Sequence, residues 1–417
     1  MKVLLLNTFE KKGGAAVACK RLALALQKQG VEVAMLVRDK NSSDLFVSSV
    51  VDSTFNRWHS KFAFLSERLK IFLINHLHKK NLFTISIAST GFNISNHPLV
   101  KEADIIHIHW INQGFLSIHG IDQLIRTGKP IVWTMHDMWP VTGICHYASQ
   151  CHHYTEKCGK CPFLQKPSGK DLSFRVLRHK SKVIAGAGIN FVACSHWLLE
   201  QAEKSVLKTG NIFSSIPNPI DTTLFVPGNQ ELARTFMHLP TGKKIILFGA
   251  DIASDKRKGV EYLIQATHFL ADLKEEVELA FCGEVKEEMA NAFGLKTHAL
   301  GYLSDTNSII KMYQAADCFV IPSLEENLPN MVMEAMSCGV PCVGFHTGGI
   351  PEMITHLKNG YIAEYQSATD LAFGIRTILA KSNDELYRNG VREFVLANYT
   401  ERIVTEQYIQ LYQKVLS

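Results

Sequence analysis

Two glutamates eight residues apart, Glu326 and Glu334, lie in the stretch Phe319 to Glu352, FVIPSLEENLPNMVMEAMSCGVPCVGFHTGGIPE. An apolar strand run ends at Pro322, a short acidic loop follows, and MVMEAMSC, apolar on nearly all sides, reads as a buried helix. Pro329 suits its first turn and Gly339 its far end. A second strand, PCVGF, closes on Gly348 and Gly349, where missing side chains let backbone approach a ligand. The helix N-terminus between the two carboxylates offers unpaired N–H groups and the positive end of a dipole, which favours phosphate. One carboxylate in the loop, with Asn327 and Leu328 beside it, and one on the helix can hold hydroxyls on either side of that phosphate. A nucleotide sugar requires this kind of recognition.

Three further groups can do chemistry. In DKRKG, ahead of a helix, Arg257 and Lys258 can meet a diphosphate through charge-assisted bonds. His136 and Asp137 follow directly on the strand IVWTM, and His107 and His109 lie on the earlier run ADIIHIHW. Both runs end in polar residues at the strand edge where open α/β sheets bind ligands. Cys145, Cys151, Cys158 and Cys161 crowd one loop, CHYASQCHHYTEKCGKC. Cys158-x-x-Cys161 around a glycine sets two sulfurs at one metal, and the other two can complete a tetrahedron around a structural zinc. His146, His152 or His153 can stand in for a cysteine.

The elements that must carry these groups repeat. KVLLLNTF, the loop EKKGG with Gly13 and Gly14, a helix ending at Gly30 and the strand VEVAMLV form a strand, glycine loop, helix, strand unit. KKIILFGADIASDKRKGVEYLIQATHFL and EEVELAFCG form the same unit again. The recurrence predicts two Rossmann-like domains: 1–207 with the Cys-rich loop 145–161, a proline-bearing linker 208–227, a second domain 228–398, and a terminal helix over 399–417. No G-x-G-x-x-G occurs, which disfavours a dinucleotide cofactor.

At 417 residues and 46% apolar content the chain can build two cores. The formal charge of +5 comes without a basic block, so nucleic acid is not expected as a partner; an anionic substrate or membrane surface is. The run VLLL is too short for an export signal, and the ten cysteines are expected to be reduced thiols in the cytoplasm. From Phe55 to Phe83, Trp58, Phe62, Phe64, Leu65, Leu69, Phe72, Leu73 and Leu77 interleave with Arg57, Lys61, Arg68, Lys70, Lys79 and Lys80. Two placements are open for this helix: on the inner face of a membrane, or over the domain core with its basic face in water.

The spacing from Glu326 to Glu334, with PS before it and GVP and GG-x-PE after it, resembles family 4 of the retaining glycosyltransferases. The resemblance covers nearly all of the chain and is most specific in its second half. It implies the GT-B fold: two facing Rossmann-like domains, a ligand cleft between them and a C-terminal helix crossing back to the first. It places Glu326 against a donor sugar, Glu334 on the nucleotide ribose and Lys258 on the diphosphate. It makes His136 the histidine that faces the sugar and brings Gly13 and Gly14 near donor or acceptor. The family arginine after the glycine of the preceding strand is missing, since Ala250 and Asp251 follow Gly249, which raises the question of whether Arg257 replaces it. The implied activity is transfer from a nucleoside diphosphate sugar to a glycan or lipid-linked acceptor, with no cofactor for catalysis and no Asp-x-Asp to bind a metal-held diphosphate. A nucleotide-sugar epimerase of the same fold and a non-catalytic sugar-nucleotide binder are the alternatives.

Overall fold

The computed structural model describes residues 1–79, 81–252, 255–284 and 287–417, so Lys80 of the basic helix region lies outside the described residues. The chain divides into two compact units, Met1–Pro219 with Val404–Ser417, and Ile220–Ile403.

The first unit is built on seven parallel strands: β1 (Lys2–Phe9), β2 (Glu32–Asp39), β3 (Val47–Ser49), β4 (Ile105–Ile108), β5 (Ile131–Met135), β6 (Asn190–Ala193) and β7 (Ile212–Ser215). Their spatial order is β3-β2-β1-β4-β5-β6-β7. Continuous apolar runs such as VLLL are what a parallel sheet covered on both faces requires, and Val3, Leu4, Leu5 and Leu6 are fully buried. One core, with Leu4, Leu6, Ile106 and Trp133, lies on one face; another, with Val3, Leu5, Val132 and Tyr412, lies on the other. Helix α1 (Gly14–Lys28) follows β1 and buries Cys19, Leu22 and Leu26. Helix α2 (Thr54–Ile74) sits between β3 and β4 in sequence.

The segment expected to be linker, 208–227, contains β7, which pairs with β6 from Asn190↔Ile212 to Ala193↔Ser215. Its prolines mislead because Pro217 and Pro219 lie just beyond the strand, outside its ladder. The terminal helix Glu401–Leu416 returns to the first unit, where Tyr412 Oη meets His107 Nδ1 at 2.7 Å and Tyr408 Oη meets Thr134 Oγ1 at 2.9 Å.

The second unit has six parallel strands: β8 (Lys244–Ile252), β9 (Val277–Glu284), β10 (Thr297–Gly301), β11 (Cys318–Ile321), β12 (Cys342–Phe345) and β13 (Gly360–Ala363), in the order β10-β9-β8-β11-β12-β13. In each sheet the order reverses once, between β1 and β4 and between β8 and β11. The carboxyl ends of such neighbouring strands diverge and leave a crevice for ligands. Among the described residues, no helix is long and apolar enough to cross a membrane.

Candidate active site

The second crevice collects the residues read from the sequence. Lys258 ends a short turn, Lys256–Lys258, after β8, and Glu326 lies in the loop after β11. The Lys258 ammonium donates to Glu326 Oε2 at 2.9 Å. The carboxylate charge raises the Lys258 pKa above its ordinary value despite burial, so the lysine stays cationic. Two glycines permit this approach. Gly259 has φ 64° and Gly348 φ 54°, and a Cβ would collide with the Pro322 carbonyl at the first and the Glu326 carbonyl at the second. The loops are also tied directly, Leu324 N–H donating to the Arg257 carbonyl at 2.7 Å and Thr347 Oγ1 to the Leu324 carbonyl at 3.1 Å. Gly349, by contrast, has φ −88° and caps the helix Ile350–Met353. Asn327 and Leu328 are buried in the loop beside Glu326.

Glu334 lies on the helix Asn330–Ser337, which Pro329 caps and Gly339, at φ 73°, terminates. Its Oε2 accepts from Tyr313 Oη at 2.8 Å. A carboxylate fixed in this way keeps one aim, which suits recognition of a ligand hydroxyl. Arg257 is differently committed. Its guanidinium grips Asp255 through Nη2–Oδ2 at 2.7 Å and Nε–Oδ1 at 3.1 Å. Burial acts to raise the Asp255 pKa, but the arginine bonds and charge outweigh it and hold the carboxyl below the usual range. Tyr313 and Asp255 were missed in the sequence. Nothing local marks Tyr313, 21 residues before Glu334, whereas Asp255 two residues before Arg257 was readable as a turn cap.

In the first unit, Gly13 precedes α1 with φ 85°, and a Cβ there would meet nothing within 4 Å, so the backbone is open to a ligand; Gly14 begins the helix. His136 follows β5 and is half-buried. Its Nε2 meets His109 Nδ1 at 2.9 Å and its Nδ1 lies 3.7 Å from Cys194 Sγ. His107 continues the stack, its ring centroid 4.3 Å from that of His109. Burial lowers His136 to about 4, partly offset by the Asp137 charge, and lowers His107 to about 3. The His136 imidazole is therefore neutral near pH 7, an acceptor or donor of hydrogen bonds and not a cation. Asp137 turns inward: its carboxylate meets His146 Nδ1 at 2.6 Å, Trp110 Nε1 at 2.9 Å and Trp139 N at 2.8 Å. His146 Nε2 in turn meets Ser86 Oγ at 3.0 Å. That chain has the connectivity of a hydrolase triad, but Ser86 is only 1% exposed, so the network fixes the β5 exit and attacks nothing.

The four clustered cysteines come together: Cys145, Cys151, Cys158 and Cys161 line one cavity of about 10 Å³ with His153 and Tyr154. Backbone of Gly143 bonds the Cys158 sulfur and that of Phe163 the Cys161 sulfur. All ten cysteines are free thiols, and among the described residues no three His, Cys, Asp or Glu side chains already stand as a metal-holding group. A larger hollow of about 330 Å³, lined by Gly128, Pro130, Gly188 and Lys414, lies at the amino ends of β5 to β7, the opposite edge from the crevice.

Two Rossmann-like units, each with its chemistry at a sheet reversal, define a GT-B protein. Residues 12–224 match the model of Glycosyltransferase Family 4 and residues 229–392 that of Glycosyl transferases group 1. The chain belongs to glycosyltransferase family 4. Over 326 residues it is 26% identical to N-acetyl-alpha-D-glucosaminyl L-malate synthase of Bacillus anthracis, covering 76% of each chain. Over 330 residues it is 24% identical to the Escherichia coli K12 protein named as colanic acid biosynthesis glycosyl transferase WcaC, covering 76% of this chain and 77% of that one. Its fold is similar to Anabaena Alr3699/HepE in complex with UDP-glucose, with TM-score 0.63 and 15% identity over 99% of this chain and 100% of that one.

Proposed function

We propose that this glycosyltransferase moves a sugar, with retention, from a nucleoside diphosphate sugar to a glycan or lipid-linked acceptor in polysaccharide biosynthesis. The observation that carries the reading is the Lys258–Glu326 pair beside the obligate Gly348, with Glu334 held by Tyr313 on the adjoining helix. A donor diphosphate would take the Lys258 ammonium in exchange for Glu326 and free that carboxylate for sugar hydroxyls. As the glycosidic bond breaks toward an oxocarbenium-like state, charge grows on the leaving diphosphate, and the lysine is already positioned to meet it. Glu334 would hold the ribose. These groups need no bound metal, and we assign none to catalysis.

His136 is neutral, and its role would be a hydrogen bond to the sugar exchanged for the one to His109. The UDP-glucose complex of the Anabaena protein and the glycan-building name of the Escherichia coli relative support donor and pathway class. An epimerase or a pure binder is not favoured. The four thiols lining one cavity are proposed to share a structural zinc after side-chain rotation, since a χ1 change swings a sulfur by about 3 Å. A thermal-shift panel of nucleoside diphosphate sugars tests the donor reading: the stabilising donor should also be consumed when acceptor lipid is supplied, and a panel without any shift at millimolar ligand overturns it.

A further inference from the structure

Helix α2 buries Ala63, Glu67, Arg68 and Ile71 and turns most of its large apolar side chains outward. The face turned to the protein carries charge: Glu67 is fully buried and Arg68 is 6% exposed. Glu67 Oε1 accepts from the N–H groups of Ile87 at 2.7 Å and Ala88 at 2.9 Å, and Oε2 pairs with Arg68 at 3.3 Å. Arg68 donates to the carbonyls of Leu82 and Ile85. These bonds pin the helix to the segment 82–88 and fix which side faces out.

The outward side is apolar. Phe55, Trp58, Phe62, Leu65, Leu69 and Leu73 are 77, 69, 66, 62, 55 and 55% exposed, and their spacing of three and four residues makes one stripe along the whole helix. A surface helix of a globular protein presents the opposite pattern, and a contiguous exposed stripe of large apolar groups marks a binding surface. Its surroundings name the partner. Arg57, Lys61 and Lys70 are the exposed charged residues of the helix, and its single acid, Glu67, is inside. Lys61 Nζ lies 5.7 Å from the centroid of the Trp58 ring, at the stripe's margin. Apolar anchors bordered by bases, with no exposed acid on the helix and one, Asp52, just before its start, fit the boundary between headgroups and acyl chains of an anionic bilayer. A protein partner would need a matching groove, and nothing on this surface specifies one.

We propose that α2 lies in the plane of an anionic membrane leaflet and docks the enzyme there, its apolar stripe among the acyl chains and Arg57, Lys61 and Lys70 at the phosphates. This does not depend on the assigned donor site, because docking needs no donor. The test is sedimentation of the whole protein with vesicles of phosphatidylcholine alone or with about one third phosphatidylglycerol, at low and high salt. The expected result is at least about tenfold tighter binding to the anionic vesicles, weakened by salt. The triple variant Phe62→Ser, Leu65→Ser, Leu69→Ser should lose binding to both, with unchanged thermal unfolding because all three side chains are exposed. Lys61→Glu with Lys70→Glu should lose only the anionic preference. Failure to bind either vesicle, or undiminished binding of a folded triple variant, overturns the proposal. So does a stable dimer that the triple variant abolishes, which would give the stripe to a second copy.

Discussion

The stacked histidines make the first unit sensitive to acid between about pH 6.5 and 4.5. His136 has its pKa lowered to about 4 and His107 to about 3, both chiefly by burial, against an ordinary value near 6.5. A histidine with a depressed folded pKa binds fewer protons folded than unfolded. Stability therefore rises with pH between the folded and unfolded values and falls on acidification from about 6.5. The limiting gradient is about 1.4 kcal/mol per pH unit per group, and because the unfolded ring is only half protonated at pH 6.5, going from pH 6.5 to 4.5 costs about 2 kcal/mol for each of the two. Together that is about 4 kcal/mol, a large share of a domain's usual ~5–15 kcal/mol. His109, pushed down in the same way, acts with the same sign. Asp137 and Asp171 are held below their ordinary range, so their stabilisation is complete above about pH 4 and is lost only below it. The assay is urea unfolding at pH 6.5, 5.5 and 4.5 followed by tryptophan fluorescence. All five tryptophans, Trp58, Trp110, Trp133, Trp139 and Trp197, lie in the first unit, so the signal reports the histidine-bearing unit alone. His136→Gln should lower the gradient by about 1.4 kcal/mol per pH unit whatever it does to stability at neutral pH. An unchanged gradient would refute the claim that this ring is neutral through burial.

Lys258→Ala should cut turnover about a hundredfold with a smaller effect on donor binding, whereas Glu334→Ala should raise the donor dissociation constant about tenfold and leave turnover closer to normal. Steady-state kinetics with the stabilising donor distinguish them, and identical profiles would remove the donor assignment. Arg257→Ala, whose charge Asp255 already engages, should slow transfer by less than about tenfold; a hundredfold loss would make it the replacement for the missing arginine. Gly348→Ala forces a left-handed φ and a collision with the Glu326 carbonyl, so it should cost about 1–3 kcal/mol and weaken donor binding, read by thermal unfolding and titration. Metal analysis of protein purified reduced and without chelator should find about one zinc per chain, reduced in Cys158→Ser and Cys161→Ser; metal-free protein with four titratable loop thiols rules the zinc out.

Features that depend on neighbours in the chain were legible from the sequence. Repeated strand, glycine loop and helix patterns announced two parallel-sheet units, and Pro329 and Gly339 marked the buried helix within two residues of its observed limits. The resemblance carried by Glu326, Glu334, GVP and GG-x-PE led to the family. Tertiary structure decided what those residues touch. Lys258 and Glu326 are 68 residues apart, and His107 and Tyr412 are 305 apart, so no local pattern pairs them. Proline content suggested a linker where β7 completes a sheet, because a strand at an edge needs only one partner and tolerates a short, mixed sequence. The clearest division falls on α2. Its periodicity establishes that one face is apolar and leaves open which face turns inward. That choice was made by the backbone at 82–88, whose N–H groups bond one Glu67 carboxylate oxygen and whose carbonyls accept from Arg68 Nη1, so that the buried charges hold that side of the helix against the protein.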